Sequence, residues 1–460
     1  MDAKFGKFLF LFVLIQPLLD LATAASLYSG TGSFTIGMAV RFAAMAAGVI
    51  YLLISRYLKK QALIIYGLVL SLAIGMNIAT SIHYKHPVDW LEEGKFIFKS
   101  CYWMIMMFTY AAVFSQLDGK TDWAKRAQWC ITVAMFITGF SILLADVTGT
   151  SFASYQYEKI GRKGWFFAGN ELGAIMAVGL PVTLLVALRS PVDRSSLFYW
   201  LPSWLLIYSL LGLGTKVGYG AVFFALLTAI VAIPLEARFH PVIFRSNWRR
   251  SWTLTAAMLA AVILYTPFSP AAQNVNLHWK LIEQKEKGDE PSAKTERLKK
   301  NTLDEEQIQH LILSSRHEYL SQQKAEFREA PLMQKCFGMG YGGNYEKTPK
   351  MIEMDFHDLF FSFGVIGFLV YIAPLLYVIC SIGRKAVHHW RAALNAEYIL
   401  IASSVALGLG IAFMAGHVLT APAVGLYVAV LLAYLFIRSQ SLADTQNGGA
   451  KSKIRSSTPN

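Results

Sequence analysis

The stretch Asp355-Phe356-His357-Asp358-Leu359-Phe360-Phe361-Ser362-Phe363-Gly364-Val365-Ile366-Gly367 follows a polar segment, 269–356, and opens a long apolar run. A membrane-spanning helix needs roughly 20 apolar residues, so this run predicts a helix that enters a membrane here. His357 would then lie at the boundary between water and the membrane interface. An enzyme that acts on a lipid-linked substrate would meet its substrate at that depth.

The rest of the composition also predicts a membrane protein. The chain has 460 residues, of which 55% are hydrophobic and 15% charged, and soluble proteins have about 25% charged residues. Its mean hydropathy is +0.43. Twelve candidate spans follow from the apolar runs, at 8–28, 36–55, 61–81, 97–116, 127–148, 167–188, 196–212, 217–235, 252–268, 357–380, 396–416 and 420–437. The seventh and eighth are nearly continuous, with Gly212–Lys216 between them.

The predicted fold is therefore all-α and polytopic, with about 12 transmembrane helices and one large extracytoplasmic loop. Residues 1–268 would form spans one to nine, and 269–356 the loop with an amphipathic helix. Residues 357–437 would form the last three spans, and 438–460 a disordered cytoplasmic tail.

The first segment also resembles a cleavable signal peptide, because two lysines precede an apolar stretch and Ala22-Thr23-Ala24. Asp20 interrupts that stretch, however, and retaining the segment gives a consistent charge bias. We therefore expect a retained helix.

The net charge of +13 could indicate a nucleic-acid partner, but its distribution argues against one. With the N-terminus inside, the cytoplasmic segments and tails carry 21 Lys/Arg and the short external loops six. The long loop is balanced, with 13 basic and 14 acidic residues. This positive-inside bias predicts a multi-pass membrane protein with both termini cytoplasmic. The four cysteines show neither a disulfide framework nor metal-ligand spacing.

The second half of the long loop predicts a helix and a Gly-rich turn. Thr302–Glu305 is a capping box that should open a helix running to about Phe327, with Pro331 after it. One stripe of that helix would hold Leu313, Arg316, Leu320, Gln323 and Phe327. Gly338–Gly343 then predicts a flexible loop leading to His357. This segment would form a lid or one wall of a cleft, or else an ordinary ectodomain loop.

Basic residues from separate segments converge on the external face in this topology: Arg41, Arg162, Lys163, Lys216 and Arg316, with His357. Arg binds phosphate oxygens with two parallel hydrogen bonds and Lys adds a point charge, so the set is suited to a diphosphate. Neutralising a leaving group is the main task in such chemistry, and a His can serve as the general base. Each residue taken alone could instead contact head groups or solvent, and Arg41 could pair internally with Asp20.

Three segments make the chain resemble the O-antigen ligase and polymerase superfamily of bacterial membrane glycosyltransferases. The first is Ser315-Arg316-His317-Glu318-Tyr319 with Pro331 and Gly338-Met339-Gly340; the second is Phe356–Phe360 with Gly364 and Gly367; the third is Gly169-Asn170-Glu171-Leu172. The resemblance covers roughly 160–380. Asp358 stands where the family often has Asn, and Lys216 stands where it often has Arg.

This resemblance implies a C-type glycosyltransferase-like fold in the bacterial cytoplasmic (inner) membrane and an inverting, metal-independent transfer without a cofactor. The donor would be a glycan on undecaprenyl diphosphate in the external leaflet, and the acceptor a hydroxyl of a glycan or lipid-anchored molecule. Arg316 and His357 would be catalytic. Lys216, Arg162, Lys163 and Arg41 would hold the diphosphate, and Asn170, Asp358 and Tyr319 would support them. Polymerase and ligase remain equally open.

The alternatives are a multi-pass transporter or flippase of a lipid-linked saccharide and a structural scaffold. Transporters often show paired repeats and key charges at the midplane. Here the large loop breaks a six-plus-six symmetry, and the basic residues cluster at the external mouth. A scaffold would leave that cluster unexplained, so the enzyme is favoured.

Overall fold

The structure, a computed structural model, describes residues 2–30, 35–55, 60–155, 159–190, 196–240, 248–277, 316–345 and 351–455. These residues are mostly helical. The helices are α1 (Asp2–Leu14), α2 (Gln16–Tyr28), α3 (Ile36–Ile54), α4 (Lys60–Tyr84), α5 (Trp90–Leu117), α6 (Trp123–Val147), α7 (Gly169–Leu188), α8 (Ser196–Gly212), α9 (Lys216–Phe239), α10 (Trp248–Tyr265), α11 (Arg316–Glu329), α12 (Leu332–Phe337), α13 (Asp355–His388), α14 (Trp390–Ala393), α15 (Ala396–Met414) and α16 (Pro422–Arg455).

The all-α, polytopic fold class is confirmed. Within the described ranges, ten helices are long and apolar enough to cross a membrane. The pair α1 and α2, bent by 51°, could form one more span, and α8 is a shorter apolar helix. Each of the twelve candidate spans therefore coincides with a helix or with the bent pair, while the number that crosses the membrane stays a prediction.

The bundle is built around α7, whose sequence is apolar on all sides. Such a helix is stable only when it is surrounded by others, and 94% of the residues in its most apolar stretch are buried. It packs against α6, α8, α9 and α15. In contrast, only 11% of the residues in the most apolar stretch of α4 are buried. Its apolar surface is therefore left for lipid.

The predicted start of the loop helix, with its capping box, lies outside the described residues, and α11 is described from Arg316 onwards. Its end agrees, because α11 stops at Glu329 before Pro331. The predicted stripe packs on α13: Leu320 and Gln323 are buried, and the Phe327 ring lies 5.4 Å from the rings of Phe360 and Phe361.

The C-terminal segment also differs from the prediction. Helix α16 continues to Arg455, through most of the part that was assigned to a disordered tail. Extending an existing helix requires no new nucleation, which is the costly step in helix formation.

The Gly-rich turn, residues 338–343, packs into a break inside α13. Gly364 has φ 68° and ψ −177°, so the helix is interrupted there. The turn supplies donors to the carbonyls that the break exposes: Met339 N–H bonds the Phe361 carbonyl at 3.0 Å, and Gly340 N–H bonds the Ser362 carbonyl at 3.1 Å. The Asn77 amide adds a bond of 2.7 Å to the Ser362 carbonyl. The turn predicted to be flexible is thus bonded to α13, because buried carbonyls require partners.

A buried ion pair fixes the same turn from its other side. Lys85 Nζ lies 2.5 Å from Glu93 Oε1 and donates to the Tyr341 carbonyl at 2.6 Å. Glu93 Oε2 accepts from the Tyr341 N–H at 2.9 Å. Lys85, in the loop between α4 and α5, and Glu93, in the first turn of α5, therefore hold the Gly-rich turn against α13.

We expect Gly364→Ala to destabilise the protein strongly. A Cβ at this position would lie 2.4 Å from the Gly338 nitrogen, and the positive φ disfavours any L side chain. The strained backbone alone costs on the order of 1–3 kcal/mol. Gly383→Ala, in the same helix with open space around its Cβ, is the control and should be neutral or slightly stabilising. Equal melting temperatures of the two variants in detergent would contradict this account.

Candidate functional site

Two buried aspartates fix the first turn of α13, which carries His357. Asp358 accepts the N–H groups of Ile352 at 2.8 Å and Met354 at 3.0 Å. Asp355 accepts the N–H groups of Val418 at 2.5 Å and Leu419 at 2.6 Å. Both carboxylates are fully buried. They satisfy backbone donors on both sides of the helix start, so the position of the intervening His357 is tightly defined.

The His357 ring is half-buried, and one of its two nitrogens has no hydrogen-bond partner among the described residues. It packs with its centroid 5.9 Å from that of Phe413. Its Nδ1 is buried and makes no hydrogen bond to any residue that the structure describes. Buried polar atoms almost always have a hydrogen-bond partner in native proteins, so this nitrogen is available to a bound ligand.

Arg316 reaches the same helix start from α11. Its Nη2 lies 2.7 Å from Glu353 Oε2, and Glu353 adopts φ 65° just before α13. Its Nε is buried without a hydrogen-bond partner in the described part of the chain. The guanidinium is therefore held by one edge and retains donors for a ligand.

The segment between α6 and α7 approaches Arg316. Burial raises the pKa of the Tyr155 phenol, and the positive charge of Arg316 counteracts that rise. Lys159 lies with its Nζ 5.6 Å from the centre of the Tyr155 ring, and its charge also acts on Lys216. Tyr155 is thus close enough to Arg316, and Lys159 to Lys216, for their charges to interact.

Lys216 is the first residue of α9, and the Thr215 side chain caps this helix by accepting the Gly218 N–H at 3.0 Å. The Lys216 Nζ is buried and has no hydrogen-bond partner among the residues described. A buried ammonium without a partner is costly, so this group is suited to binding an anion.

Arg162 and Lys163 lie further out and have protein partners. Arg162 Nη1 is 3.7 Å from Asp146 Oδ2, and the Arg162 side chain is half-exposed. Lys163 Nζ donates to the Phe167 carbonyl at 2.7 Å, and burial lowers the pKa of Lys163. The charged groups of these two cations therefore have protein partners, unlike Lys216 Nζ and Arg316 Nε in the described part of the chain.

A known protein family matches almost the whole chain. A family model described as "O-antigen ligase like membrane protein" matches residues 2–441. The chain belongs to this family. No curated protein matched the chain. Membership supports a glycosyltransferase-like role in surface-polysaccharide assembly, in a multi-pass membrane protein that handles a lipid-linked glycan.

In this O-antigen ligase-like protein Arg41 lies inside the bundle. Its Nη2 is 2.6 Å from Asp20 Oδ1, and its Nε donates to Gln16 Oε1 at 3.0 Å. The internal pair with Asp20, considered from the sequence as an alternative, is therefore the arrangement found. Asn170 is exposed in the first turn of α7, and Tyr319 is half-buried on α11. Arg316 contacts Glu353 just before the α13 turn that carries His357, whereas the guanidinium of Arg41 is engaged by Asp20 and Gln16.

Sequence reasoning did not single out His417 or the carboxylate of Asp355. His417 lies between α15 and α16, and the preceding residue, Gly416, forms a parallel bridge with Met354. Its Nδ1 is 3.6 Å from Asp355 Oδ1. The available signal was a lone His between two apolar runs, but the sequence does not show that this loop pairs with the start of α13.

Proposed function

We propose that this protein transfers a glycan from undecaprenyl diphosphate to an acceptor hydroxyl at the external leaflet, with inversion and without a metal ion. One observation carries this proposal. Lys216 Nζ, Arg316 Nε and His357 Nδ1 are all buried and unpartnered among the described residues. Buried polar atoms in native proteins almost always have partners, and these three have the chemistry to bind a diphosphate and activate a hydroxyl.

Arg316 and Lys216 would neutralise the diphosphate. Arg316 can present a planar fork to phosphate oxygens, and Lys216 adds a compact charge. Arg162 and Lys163 would attract the anionic donor from the rim, since both already have protein partners. Arg41 is better assigned to bundle stability, because Asp20 and Gln16 already engage its guanidinium.

His357 would act as the general base. The acceptor oxygen attacks the anomeric carbon as His357 takes the hydroxyl proton. The bond from that carbon to the diphosphate oxygen breaks on the opposite face, and undecaprenyl diphosphate leaves with the electron pair. Asp358 and Asp355 would keep His357 in place by anchoring the helix start. Asn170 and Tyr319 would support the substrate.

Transfer by the purified protein tests this function directly. Undecaprenyl-diphosphate-linked oligosaccharide would be supplied and the products separated by chain length. Longer lipid-linked chains would establish a polymerase, and transfer that needs a separate acceptor would establish a ligase. Movement of the glycolipid across liposomes without any transfer would replace the enzyme with the flippase.

Cysteine labelling tests the proposed orientation, with both termini in the cytoplasm. In a cysteine-free background, Lys324→Cys on α11 should react with a membrane-impermeant maleimide in intact spheroplasts. Lys125→Cys, at a side chain that is 75% exposed near the start of α6, should react only after lysis. The reverse pattern would contradict the orientation and place the site on the cytoplasmic side.

A further inference from the structure

His417 is a charged group in contact with the candidate site that the mechanism above does not use. Asp355, at the start of α13, ties the 416–420 loop to the helix turn that carries His357. The His417 side chain is 28% exposed, so part of its ring is accessible while the rest is enclosed.

A hydrogen-bond relay fixes the orientation of this ring. The Thr420 hydroxyl donates to Asp355 Oδ1 at 2.5 Å, and His417 Nδ1 lies 3.1 Å from the same hydroxyl oxygen. A hydroxyl has a single proton. Because Thr420 gives that proton to Asp355, His417 Nδ1 must be the donor in its contact with Thr420. The remaining nitrogen, Nε2, makes no hydrogen bond or ion pair with the described residues. It is therefore available to a ligand.

The charges around His417 favour its protonated form. Burial opposes the charge, but the hydrogen bond and attraction of Asp355, with the charges of Asp358 on α13 and Glu171 on α7, raise the pKa of His417 to about 9. At neutral pH the ring is therefore an imidazolium whose Nε2 donates a hydrogen bond. His357 differs, because no protein group orients its Nδ1. The two histidines are thus equipped for different tasks, His357 to accept a proton and His417 to donate to an anion.

We propose that His417 is a ligand-binding residue of this site, which donates its Nε2–H to an anionic oxygen of the donor's diphosphate. This inference rests on the proposed function. The relay through Thr420 and Asp355 would keep the ring in the donating orientation, and it would tie diphosphate binding to the position of the helix turn that carries His357. His417 would then be a third cation beside Arg316 and Lys216.

Direct binding of undecaprenyl diphosphate to the purified full-length protein in detergent tests this assignment. We expect His417→Ala to weaken binding by about 10- to 100-fold, the usual effect of losing a hydrogen bond to a charged group. His417→Gln keeps a neutral N–H donor and should restore part of the affinity. His240→Ala removes a loop histidine at the opposite end of α9, which also makes one hydrogen bond, and should bind as the wild type does.

The pH dependence separates binding from a merely structural role. Wild-type affinity should fall as the pH rises through about 9, because the imidazolium loses its proton there. His417→Gln should show a smaller fall, since only the contribution of lysines such as Lys216, which also lose their charge at alkaline pH, remains. If the wild type binds undecaprenyl diphosphate and His417→Ala binds it equally well, the assignment of His417 is wrong and the proposed function stands. If the wild type neither binds it nor transfers a glycan, the proposed function itself fails, and the assignment with it. His417→Gln and the pH series decide the question even if His417→Ala does not fold.

Discussion

His357→Ala should reduce glycan transfer by about 10²- to 10⁴-fold, the range for loss of a general base. The ring stands in the first turn of α13, where Asp355 and Asp358 fix the backbone independently of it. Removing the imidazole should therefore leave the fold intact while the acceptor hydroxyl loses its proton acceptor. The measurement is the initial rate of transfer from undecaprenyl-diphosphate-linked oligosaccharide at matched protein concentration.

The control for this variant is His388→Ala, at the other end of the same helix. His388 is exposed in the last turn of α13, so its loss should change neither the rate nor the melting temperature. Transfer at the wild-type rate by His357→Ala would remove His357 from the mechanism. A parallel fall in melting temperature would show instead that the ring serves the fold.

Arg316→Ala should lower transfer by about 10²- to 10³-fold, comparable with the loss of one donor that stabilises transition-state charge. Stability should change little, because the ion pair with Glu353 is partly exposed and such pairs contribute about 0–1 kcal/mol. Arg316→Lys keeps the charge but loses the planar fork, so its rate should lie between those of the alanine variant and the wild type. Steady-state kinetics with varied donor concentration would show the loss.

Arg328→Ala provides the matched comparison, since Arg328 is an exposed arginine in the last turn of the same helix. It should transfer normally. If Arg316→Lys were fully active, charge alone would suffice and the bidentate contact would be refuted. If Arg316→Ala were fully active, Arg316 would not hold the diphosphate at all.

The Gly-rich turn could be predicted only in part from the sequence. The glycines of 338–343 predicted a flexible loop, whereas in the structure Gly338, Gly340, Gly342 and Gly343 adopt positive φ in a turn bonded to α13. The sequence could not show that the turn fills a break in α13 at Gly364. In the sequence the break lies within a continuous apolar run. The carbonyls that it exposes accept hydrogen bonds from residues more than 20 positions away.

The candidate site residues were selected from the sequence for two different reasons. Lys216 and His357 each lie where a polar segment meets an apolar run, and Arg316 lies on the loop helix in a segment that resembles the family. Arg41 lies toward the external end of its span, and in the structure its guanidinium pairs with Asp20 on the neighbouring α2. His417 could not be identified, because its partner Asp355 is 62 residues earlier in the chain.

The sequence by itself determined the all-α membrane fold, since each apolar run is long enough to cross a bilayer and must satisfy its own backbone hydrogen bonds in lipid. It also determined which end of each run carries cations. Only the tertiary structure decided which of those cations are neutralised by a carboxylate and which remain unpartnered. Ion pairs and hydrogen bonds act over a few ångströms, and packing of distant helices alone sets those distances.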